Sequence, residues 1–384
     1  MVRKFGKTML LIISIVAMTS ICFAETVTEK TVMTLDEAIE YAMKNNANIV
    51  DLERMEEDQE DTYEKAEKAY KKWQSKTAYS FNEYDPVYYP KYDYLEYHGY
   101  YLDLAKIGYD SFLASQNTAK STVRYSVMKL AYTITELEDT VKCLEQTIVK
   151  QENDVKVLEV KLKLNMATQL DLDAAKSALK SSKLQLETLK SSLDTMRISL
   201  KSLIGFDVLK ELEIELPEFE FALLEIEDIN KTIENSIDTN SNVLAAKLEY
   251  KQKEINNVLA TTLLLSTEKE VNAAKDAFSD AELRLNNSIN ATKENLLILY
   301  RQIKTNEQNV VLAKEDYEQL QQKYVQMEKM YELNMLTKND YQAYQVALIN
   351  AENTYNSAIH ENILLNERWN IALLVGDVVA SIEK

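Results

Sequence analysis

The sequence contains very little glycine and proline. Only 5 Gly and 3 Pro occur among 384 residues, whereas an average chain carries about 7% Gly and 5% Pro. Because tight turns depend on these two residue types, their scarcity argues against a compact α/β or all-β fold with many short connections. A small number of long helices is the arrangement that remains.

Cysteine and histidine are also scarce. The chain has 2 Cys and 2 His, and neither His98 nor His360 has a second His, a Cys or a carboxylate nearby at the spacing of metal ligands. No zinc-protease or phosphate-loop pattern occurs. We therefore predict no catalytic residue, no metal site and no cofactor, and we do not expect an enzyme.

Long apolar runs are lacking beyond the N-terminus. Three basic residues precede an apolar run at 9–16, and the segment ends at Ala24, a pattern typical of a cleaved secretory signal peptide, which we assign to residues 1–24. Acylation of Cys22 is the rival interpretation, but Ile21 before it is larger than a lipoprotein signal requires. No later segment offers the roughly 18 apolar residues of a membrane-spanning helix.

The charge balance is strongly acidic. The chain has 44 Lys+Arg against 62 Asp+Glu and a net charge of −18, which becomes −21 when the three basic residues of the signal are removed. This charge argues against nucleic acid and anionic lipid as partners. Cleavage leaves Cys143 as the sole cysteine, which excludes an intrachain disulfide; it is either a small helical residue or the site of an interchain bridge.

Apolar residues recur at alternating steps of three and four in three long series, at 127–162, 172–203 and 296–331. This spacing keeps one stripe of a helix facing a neighbouring helix and is typical of coiled coils. The series predict long rods, and 63 residues of helix from 102 to 164 would extend about 95 Å.

Two segments recur within the chain. The sequence LNMATQLD at 164–171 matches LNMLTKND at 333–340, an offset of 169, and 36–49 matches 230–243 at an offset of 194. Both copies end in two apolar residues followed by Gly205 or Gly376. We therefore predict an all-α fold of long antiparallel coiled-coil helical hairpins in two tandem repeats. The repeats comprise 25–205 and 225–384, and the linker 206–224 is assigned no sheet.

The first repeat contains an insertion. The difference between the two offsets, 194 − 169, places about 25 extra residues in it, and the candidate is the tyrosine-rich segment 74–101, which follows no helical period. Its tyrosines could contact a wall polymer, a membrane interface or a partner, or cap the ends of their own bundle. The candidate contact residues are Tyr79, Tyr84, Tyr88, Tyr89, Tyr92, Tyr94 and Tyr97. In the second repeat, Thr267 and Glu270 predict a capping box after a tight turn at the same junction.

Each hairpin needs a tight reversal at its tip. Asn165 and Asn334 are placed where a left-handed backbone would be needed. Thr168 and Thr337 are candidate N-caps of the returning helices, although neither is followed by Glu or Gln at the third helical position. The tip residues are Leu164, Asn165, Met166, Thr168, Leu333, Asn334, Met335 and Thr337.

Together these features resemble the TolC-type outer membrane efflux proteins. The resemblance lies in the opening TLDEAIEYA at 34–42 with NNANI at 45–49, in the two tips and in the apolar-apolar-Gly helix ends, and it covers nearly all of the mature chain. It implies a homotrimer whose helices form a hollow α-barrel body. It also implies an exit duct that docks, at the tips, onto a periplasmic adaptor and an inner-membrane transporter.

The resemblance assigns candidate roles to individual residues. The glycine common at the family's tips is replaced by Asn165 and Asn334. An acidic residue at the family's constriction aligns with Asp340, its first-repeat equivalent is Asp171, and a second acidic position aligns with Ala343. A ring of three carboxylates could bind cations or gate passage. The alternative is an acid stabilised by the positive end of its own helix.

The chain also departs from the family. A single insertion allows a trimer only six strands, whereas membrane barrels begin at about eight, so we predict little or no β-barrel. We therefore expect a TolC-like exported duct component of an efflux or secretion system, in the outer membrane and periplasm or on the exterior of the cell envelope. The alternative is an extracellular coiled-coil scaffold or surface-binding protein derived from this fold. An adaptor is disfavoured because adaptors combine one hairpin with β-rich domains.

Overall fold

The computed structural model describes residues 31–75, 95–217, 221–262 and 266–376. Long helices dominate it, which confirms the all-α prediction. In chain order the elements are β1 (Thr31–Thr34), α1 (Leu35–Asn45), α2 (Ala47–Ser75), α3 (Tyr100–Lys163), α4 (Gln169–Ile204), β2 (Leu212–Glu215), α5 (Ile229–Ser236), α6 (Ser241–Thr262), α7 (Glu268–Glu332) and α8 (Lys338–Leu374).

The two halves of the chain carry the same series of helices. Helix α3 has 64 residues and α7 has 65, and the returning helices α4 and α8 have 36 and 37. At 1.5 Å per residue, each long helix extends about 96 Å. In each half a short helix, α1 or α5, precedes a longer one, α2 or α6. The bounds of the two repeats in the sequence remain a prediction.

The connection between the second and third helices differs between the halves. Helix α2 ends at Ser75 and α3 begins at Tyr100, whereas α6 ends at Thr262 and α7 already begins at Glu268. The Thr267 side chain accepts a hydrogen bond from the Glu270 amide at 3.3 Å, and the Glu270 carboxylate accepts one from the Thr267 amide at 2.7 Å. The predicted capping box is thus confirmed, and it fixes the start of α7.

The rods form an open layer. Helix α3 packs against α4 on one side and α8 on the other, and α8 packs against α7, giving the order α4, α3, α8, α7. Beyond the hairpins, α2 packs on α3, and α6 lies against both α3 and α7. Within the described ranges α4 and α7 share no packed interface, so they are the two edges of the layer.

The densest cores lie far from the tips. One contains Ala38 and Ile39 of α1 together with Val127 of α3 and Ile204 of α4. The other joins Ile233 of α5, Leu296, Leu299 and Ile303 of α7, and Trp369 of α8. The fully buried positions of α8 all lie at 362–372, near its C-terminal end. The rods therefore leave their clustered cores as they run toward the tips.

The linker contains a strand, and the prediction that 206–224 has no sheet is wrong. Strand β2 pairs in parallel with β1, Thr31 opposite Leu212 and Thr34 opposite Glu215. Leu212 and Ile214 pack on the first core, while Glu213 and Glu215, which alternate with them, are exposed. Alternation with a period of two is typical of a strand with one buried face. Its partner, which precedes the first helix, was not recognised as a strand.

Most of the tyrosines singled out in the insertion lie outside the described residues, namely Tyr79, Tyr84, Tyr88, Tyr89, Tyr92 and Tyr94. Tyr97 is described and is half-buried in a helical turn at 95–97. Its carbonyl accepts a 2.9 Å hydrogen bond from Gln74 Nε2, and its ring meets the His98 ring edge-on at 5.2 Å. A role of this segment in binding stays a prediction.

Among the described helices, none combines the length and the hydropathy required to cross a bilayer.

The hairpin tips as a candidate functional site

The two tips reverse the chain in the same way. Asn165 has φ of 56° and Asn334 has φ of 57°, both in the left-handed region. The amides that follow them close the helix ends: Met166 N donates to Lys161 O at 2.8 Å, and Met335 N donates to Met330 O at 2.8 Å. These bonds satisfy carbonyls that a helix end leaves open. The left-handed conformation predicted for both asparagines is confirmed.

The returning helices begin at threonine caps, as predicted. The Thr168 hydroxyl accepts from the Asp171 amide at 3.2 Å, and the Asp171 carboxylate accepts from the Thr168 amide at 2.9 Å, which completes a capping box. At the second tip, Thr337 Oγ1 accepts from the Asp340 amide at 3.2 Å and donates to its carboxylate at 2.6 Å. Glu or Gln was expected at the third helical position, and in both helices Asp fills this position in the cap.

The two candidate constriction acids are therefore already engaged within their own caps. Hydrogen bonds from the Thr168 hydroxyl and backbone amide hold the pKa of Asp171 below its usual range. Both carboxylates also lie in the first turn of their helix, at the positive end of its dipole. Both acids therefore have the local role that was the alternative to a constriction, at the positive end of their own helix. A role in a constriction stays a prediction.

Both tips present apolar side chains to solvent. Leu164 and Met166 are 62% and 69% exposed at the first tip, and Leu333 and Met335 are 69% and 68% exposed at the second. Solvation of such large apolar groups is unfavourable. They recur at equivalent positions of both hairpins and so give the two tips matching exposed apolar surfaces.

Polar side chains hold the two hairpins together close to the tips. Asp154 of α3 accepts a hydrogen bond from Asn339 at the start of α8 and pairs with Lys150 at 2.8 Å. One residue away, Asn153 Nδ2 donates to Gln342 Oε1 at 3.0 Å. Helix α3 continues for nine residues past Asp154 to Lys163, about 13 Å. The first tip therefore projects beyond the contact between the hairpins.

A tyrosine cluster stiffens the second hairpin near its tip. The Tyr331 and Tyr341 rings stack with centroids 4.5 Å apart and an interplanar angle of 2°, and the Tyr324 and Tyr341 hydroxyls lie 2.6 Å apart. The hydrogen bond to Tyr324 and burial raise the pKa of Tyr341. Tyr324 and Tyr331 were predicted as heptad positions, and the cluster was not predicted. The signal available was tyrosine at successive heptad positions.

The first hairpin has ion pairs where the second has this cluster. Four pairs link α3 and α4 at intervals of seven residues and at 2.7 to 2.9 Å. They are Glu159–Lys176, Glu152–Lys183, Glu145–Lys190 and Glu138–Arg197. Each pair lies at the exposed side of the contact between α3 and α4, where one pair contributes roughly 0.2–1 kcal/mol to the free energy of unfolding. Their regular spacing favours one antiparallel register of the hairpin.

In the described part of the chain, no group of three or more His, Cys, Asp or Glu is placed to hold a metal ion. Cys143 is buried, and its Sγ lies 3.0 Å from Asn350 Oδ1 on α8. Burial raises the pKa of its thiol.

Comparison with solved structures identifies the fold. The outer membrane protein VceC of Vibrio cholerae matches with a TM-score of 0.61 and 12% identity, over 90% of this chain and 96% of VceC. The CmeC outer membrane channel of Campylobacter jejuni matches with a TM-score of 0.64 and 13% identity, over 91% and 88%. The open-state MtrE outer membrane channel of Neisseria gonorrhoeae gives 0.62 and 12%, over 89% of each chain.

No protein-family model matches the chain, and no curated protein sequence does. The likeness at this level of identity is one of fold. It shows that the chain has the helical-hairpin fold of outer membrane channels, the fold that the TolC-type resemblance implied. Among the matching structures, CmeC, OprN and MtrE are outer membrane channels.

Proposed function

We propose that the exported chain assembles as a homotrimer that forms a helical duct in an efflux or secretion system, at the outer membrane and in the periplasm. The observation that carries the proposal is the four-rod layer, which matches outer membrane channels along nearly the whole length of both chains. A duct needs walls that are long, continuous and closed only on assembly. A single open layer of rods is suited to become one sector of such a wall.

The exposed surface of the single chain supports assembly. One copy exposes 25341 Å², whereas a compact monomer of 44.2 kDa is expected to expose about 15,500 Å². Helix α4 buries only four of its 36 residues, Leu172, Leu193, Leu200 and Ile204. The layer thus has two open edges, and repeated head-to-tail contact between such edges closes a ring when the rotation allows it.

The tips supply the docking surface in this proposal. The exposed Leu164 and Met166, with Leu333 and Met335, would insert into a periplasmic adaptor, which in turn would connect the duct to an inner-membrane transporter. Apolar side chains held on rigid turns lose little conformational entropy on binding, which suits them as anchors. No nucleic acid is involved, given the net charge of −18.

Asp340, and Asp171 as its first-repeat equivalent, are the candidate constriction residues. In a trimer each position would occur three times around one axis, and three carboxylates held together would repel one another and attract cations. Asp340→Asn tests this role, because asparagine can still accept a hydrogen bond from Thr337 and so retain the cap. A changed ion conductance at unchanged thermal stability would support a constriction at this position. Unchanged conductance would leave Asp340 with its capping role alone.

One observation favours the alternative function, an extracellular scaffold or surface-binding protein that reuses the body of a duct. Only residues 263–267 separate α6 from α7, against residues 76–99 between α2 and α3. The second half therefore lacks room for an insertion like the first. In this alternative the partner would be a surface rather than a transporter.

Molar mass and shape decide between the two functions. We would purify the exported chain, measure its mass by light scattering during size exclusion and image the peak by negative stain. The duct predicts a trimer with a central channel. A solid monomeric or dimeric rod would overturn the duct and favour the scaffold.

A further inference from the structure

Two exposed apolar stripes run along the edges of the rod layer with the same period. On α4, Leu170, Leu184 and Ile198 are spaced by 14 residues, and all are exposed. On α7, Leu283, Leu297, Val311 and Val325 are also spaced by 14 and exposed. We call these sets the α4 stripe and the α7 stripe. Fourteen residues are two heptads, about 21 Å of helix.

Within the described residues, neither stripe covers the other. The packing order α4, α3, α8, α7 places the two helices at opposite edges of the layer, and in the described residues they have no packed interface. Exposed apolar side chains at a heptad multiple on the outer side of a coiled coil are unusual, because that side is normally polar. A helix of a second molecule is the surface that such a stripe fits.

The contacts across the layer place the stripes at matching heights. Glu152 of α3 pairs with Lys183 of α4 at 2.7 Å. Asn153 of α3 bonds Gln342 of α8 at 3.0 Å, and Tyr341 of α8 lies 2.6 Å, between hydroxyls, from Tyr324 of α7. Tyr341 also stacks on Tyr331 of α7, with centroids 4.5 Å apart, so it lies at a level between Tyr324 and Tyr331. Following these contacts from helix to helix sets Leu184 level with Val325 to within about one residue.

Contacts two heptads farther from the tips give nearly the same register. Arg197 of α4 pairs with Glu138 at 2.7 Å, and Glu136 lies 3.2 Å from His360 of α8. Five residues before His360, Tyr355 stacks on Tyr317 of α7 with centroids 6.0 Å apart. These contacts set Ile198 of α4 level with Ala313 of α7, two residues or about 3 Å from Val311.

We propose that the α4 stripe of one copy packs against the α7 stripe of the next, with Leu184 on Val325 and Ile198 on Val311. The helices run in opposite directions, so equal spacing brings both pairs into register at once. Leu170 lies past the end of α7 at Glu332, and Leu283 and Leu297 lie past the end of α4 at Ile204, so these three have no counterpart in this contact. Midway between the two levels, Ser191 of α4 faces Glu318 of α7, a small polar residue opposite a charged one. Equal heights are what rotation about an axis parallel to the rods requires. This interface rests on the proposed trimeric duct and specifies which surfaces close it.

Cysteine cross-linking tests the pairing. In a Cys143→Ser background, we would combine Leu184→Cys with Val325→Cys, and separately Ile198→Cys with Val311→Cys, and oxidise the exported chain. A disulfide requires Cβ atoms within about 4.5 Å. The matched control, Ser191→Cys with Val325→Cys, uses the same two helices, but Ser191 is displaced from Leu184 by seven residues, about 10 Å.

We expect both stripe pairs to give covalent dimers and trimers on a non-reducing gel, and the control pair to give none. Covalent species can arise only between copies, because an intrachain link leaves the mass unchanged. A trimer by light scattering that forms neither stripe cross-link would overturn this interface and leave the duct in place. A monomer by light scattering would overturn the interface and the duct together.

Discussion

Asn46 and Asn240, 194 residues apart, make equivalent bonds at the two elbows between a short helix and the longer helix that follows it. Asn46 Oδ1 accepts from the amides of Asn48 and Ile49, at 3.0 and 3.4 Å. Asn240 Oδ1 accepts from those of Asn242 and Val243, at 3.0 and 3.3 Å. Both elbows also touch the end of a returning helix: Asn46 Nδ2 donates to Leu203 O at 2.9 Å, and Ser241 N donates to Val375 O at 3.0 Å.

We therefore expect Asn46→Ala and Asn240→Ala to lower the free energy of unfolding by about 1–2 kcal/mol each, since each removes the cap of a helix. Thermal or urea unfolding measures the change. Asn242→Ala is the control, because this exposed residue is also in the first turn of α6 and contributes its amide rather than its side chain. Equal losses for Asn240→Ala and Asn242→Ala would contradict the capping role.

Gly205 should not tolerate a side chain. Its φ is +76°, and a Cβ at this position would lie 2.7 Å from the backbone oxygen of Asn45. Gly205→Ala is expected to destabilise the fold by about 2–3 kcal/mol, from the left-handed strain and the clash together.

Gly108 is the matched control for Gly205. It lies within α3, and a Cβ there meets nothing within 4 Å. Gly108→Ala should stabilise the protein by about 0.5–1 kcal/mol, because alanine has less conformational freedom to lose in a helix. Chemical denaturation of the two variants side by side should therefore give changes of opposite sign. A stabilising Gly205→Ala would contradict the close approach of Gly205 to the Asn45 backbone.

The ion pairs of the first hairpin should respond to charge as partners. Lys190→Glu places two acids together with Glu145 and is expected to cost about 1 kcal/mol, and Glu145→Lys likewise. The combined swap Lys190→Glu with Glu145→Lys should recover most of the loss. A double-mutant cycle at low salt measures this coupling, which 1 M salt should weaken. Additive losses in the double variant would show that the pair makes no contribution.

The cap of the first tip should depend on pH. Since hydrogen bonds lower the pKa of Asp171 in the folded chain, its contribution is present above the ordinary aspartate pKa of about 3.9 and is lost as the pH falls through the lower, folded value. Thr168→Val should move this pKa back toward the ordinary value, as followed by carboxyl carbon NMR.

The control for that titration is Thr188→Val, on the same helix. The Thr188 hydroxyl donates to Leu184 O and lies away from the cap. The Thr188→Val variant should therefore leave the titration of Asp171 unchanged. An unchanged titration in Thr168→Val as well would exclude the threonine as the cause of the shift.

Cys143 should react slowly with alkylating reagents at pH 8. Burial raises the pKa of its thiol and also limits access to it, and the thiolate is the reactive form. Mass spectrometry after iodoacetamide should show little labelling of the folded chain and complete labelling in urea. Rapid labelling without denaturant would indicate that α3 and α8 separate at this level, and an interchain disulfide would then become feasible.

The sequence predicted the rods, the reversals and the caps because each depends on local chemistry. The steps of apolar residues along α3, α4 and α7, the left-handed Asn165 and Asn334, and the caps at Thr168 and Thr337 follow from residues close together in the chain. Strand β2 was missed because its partner is about 180 residues away and only tertiary pairing makes either segment a strand. The edge stripes were missed for a similar reason. In the sequence alone, Leu184 and Val325 look like ordinary surface positions. The packing order of the helices shows that both lie on helices at the edges of the layer.

The contact of Asp154 with Asn339 sets the two hairpins at unequal heights. Helix α3 runs about 13 Å beyond this contact, whereas α8 begins one residue before it. In a trimer, six tips would surround the axis and alternate between two heights. A flat partner surface would contact only the three tips that project farther. A surface complementary to such a trimer would therefore be stepped, with six sockets at two depths, and it would engage all six tips only in rotational positions that repeat every third of a turn.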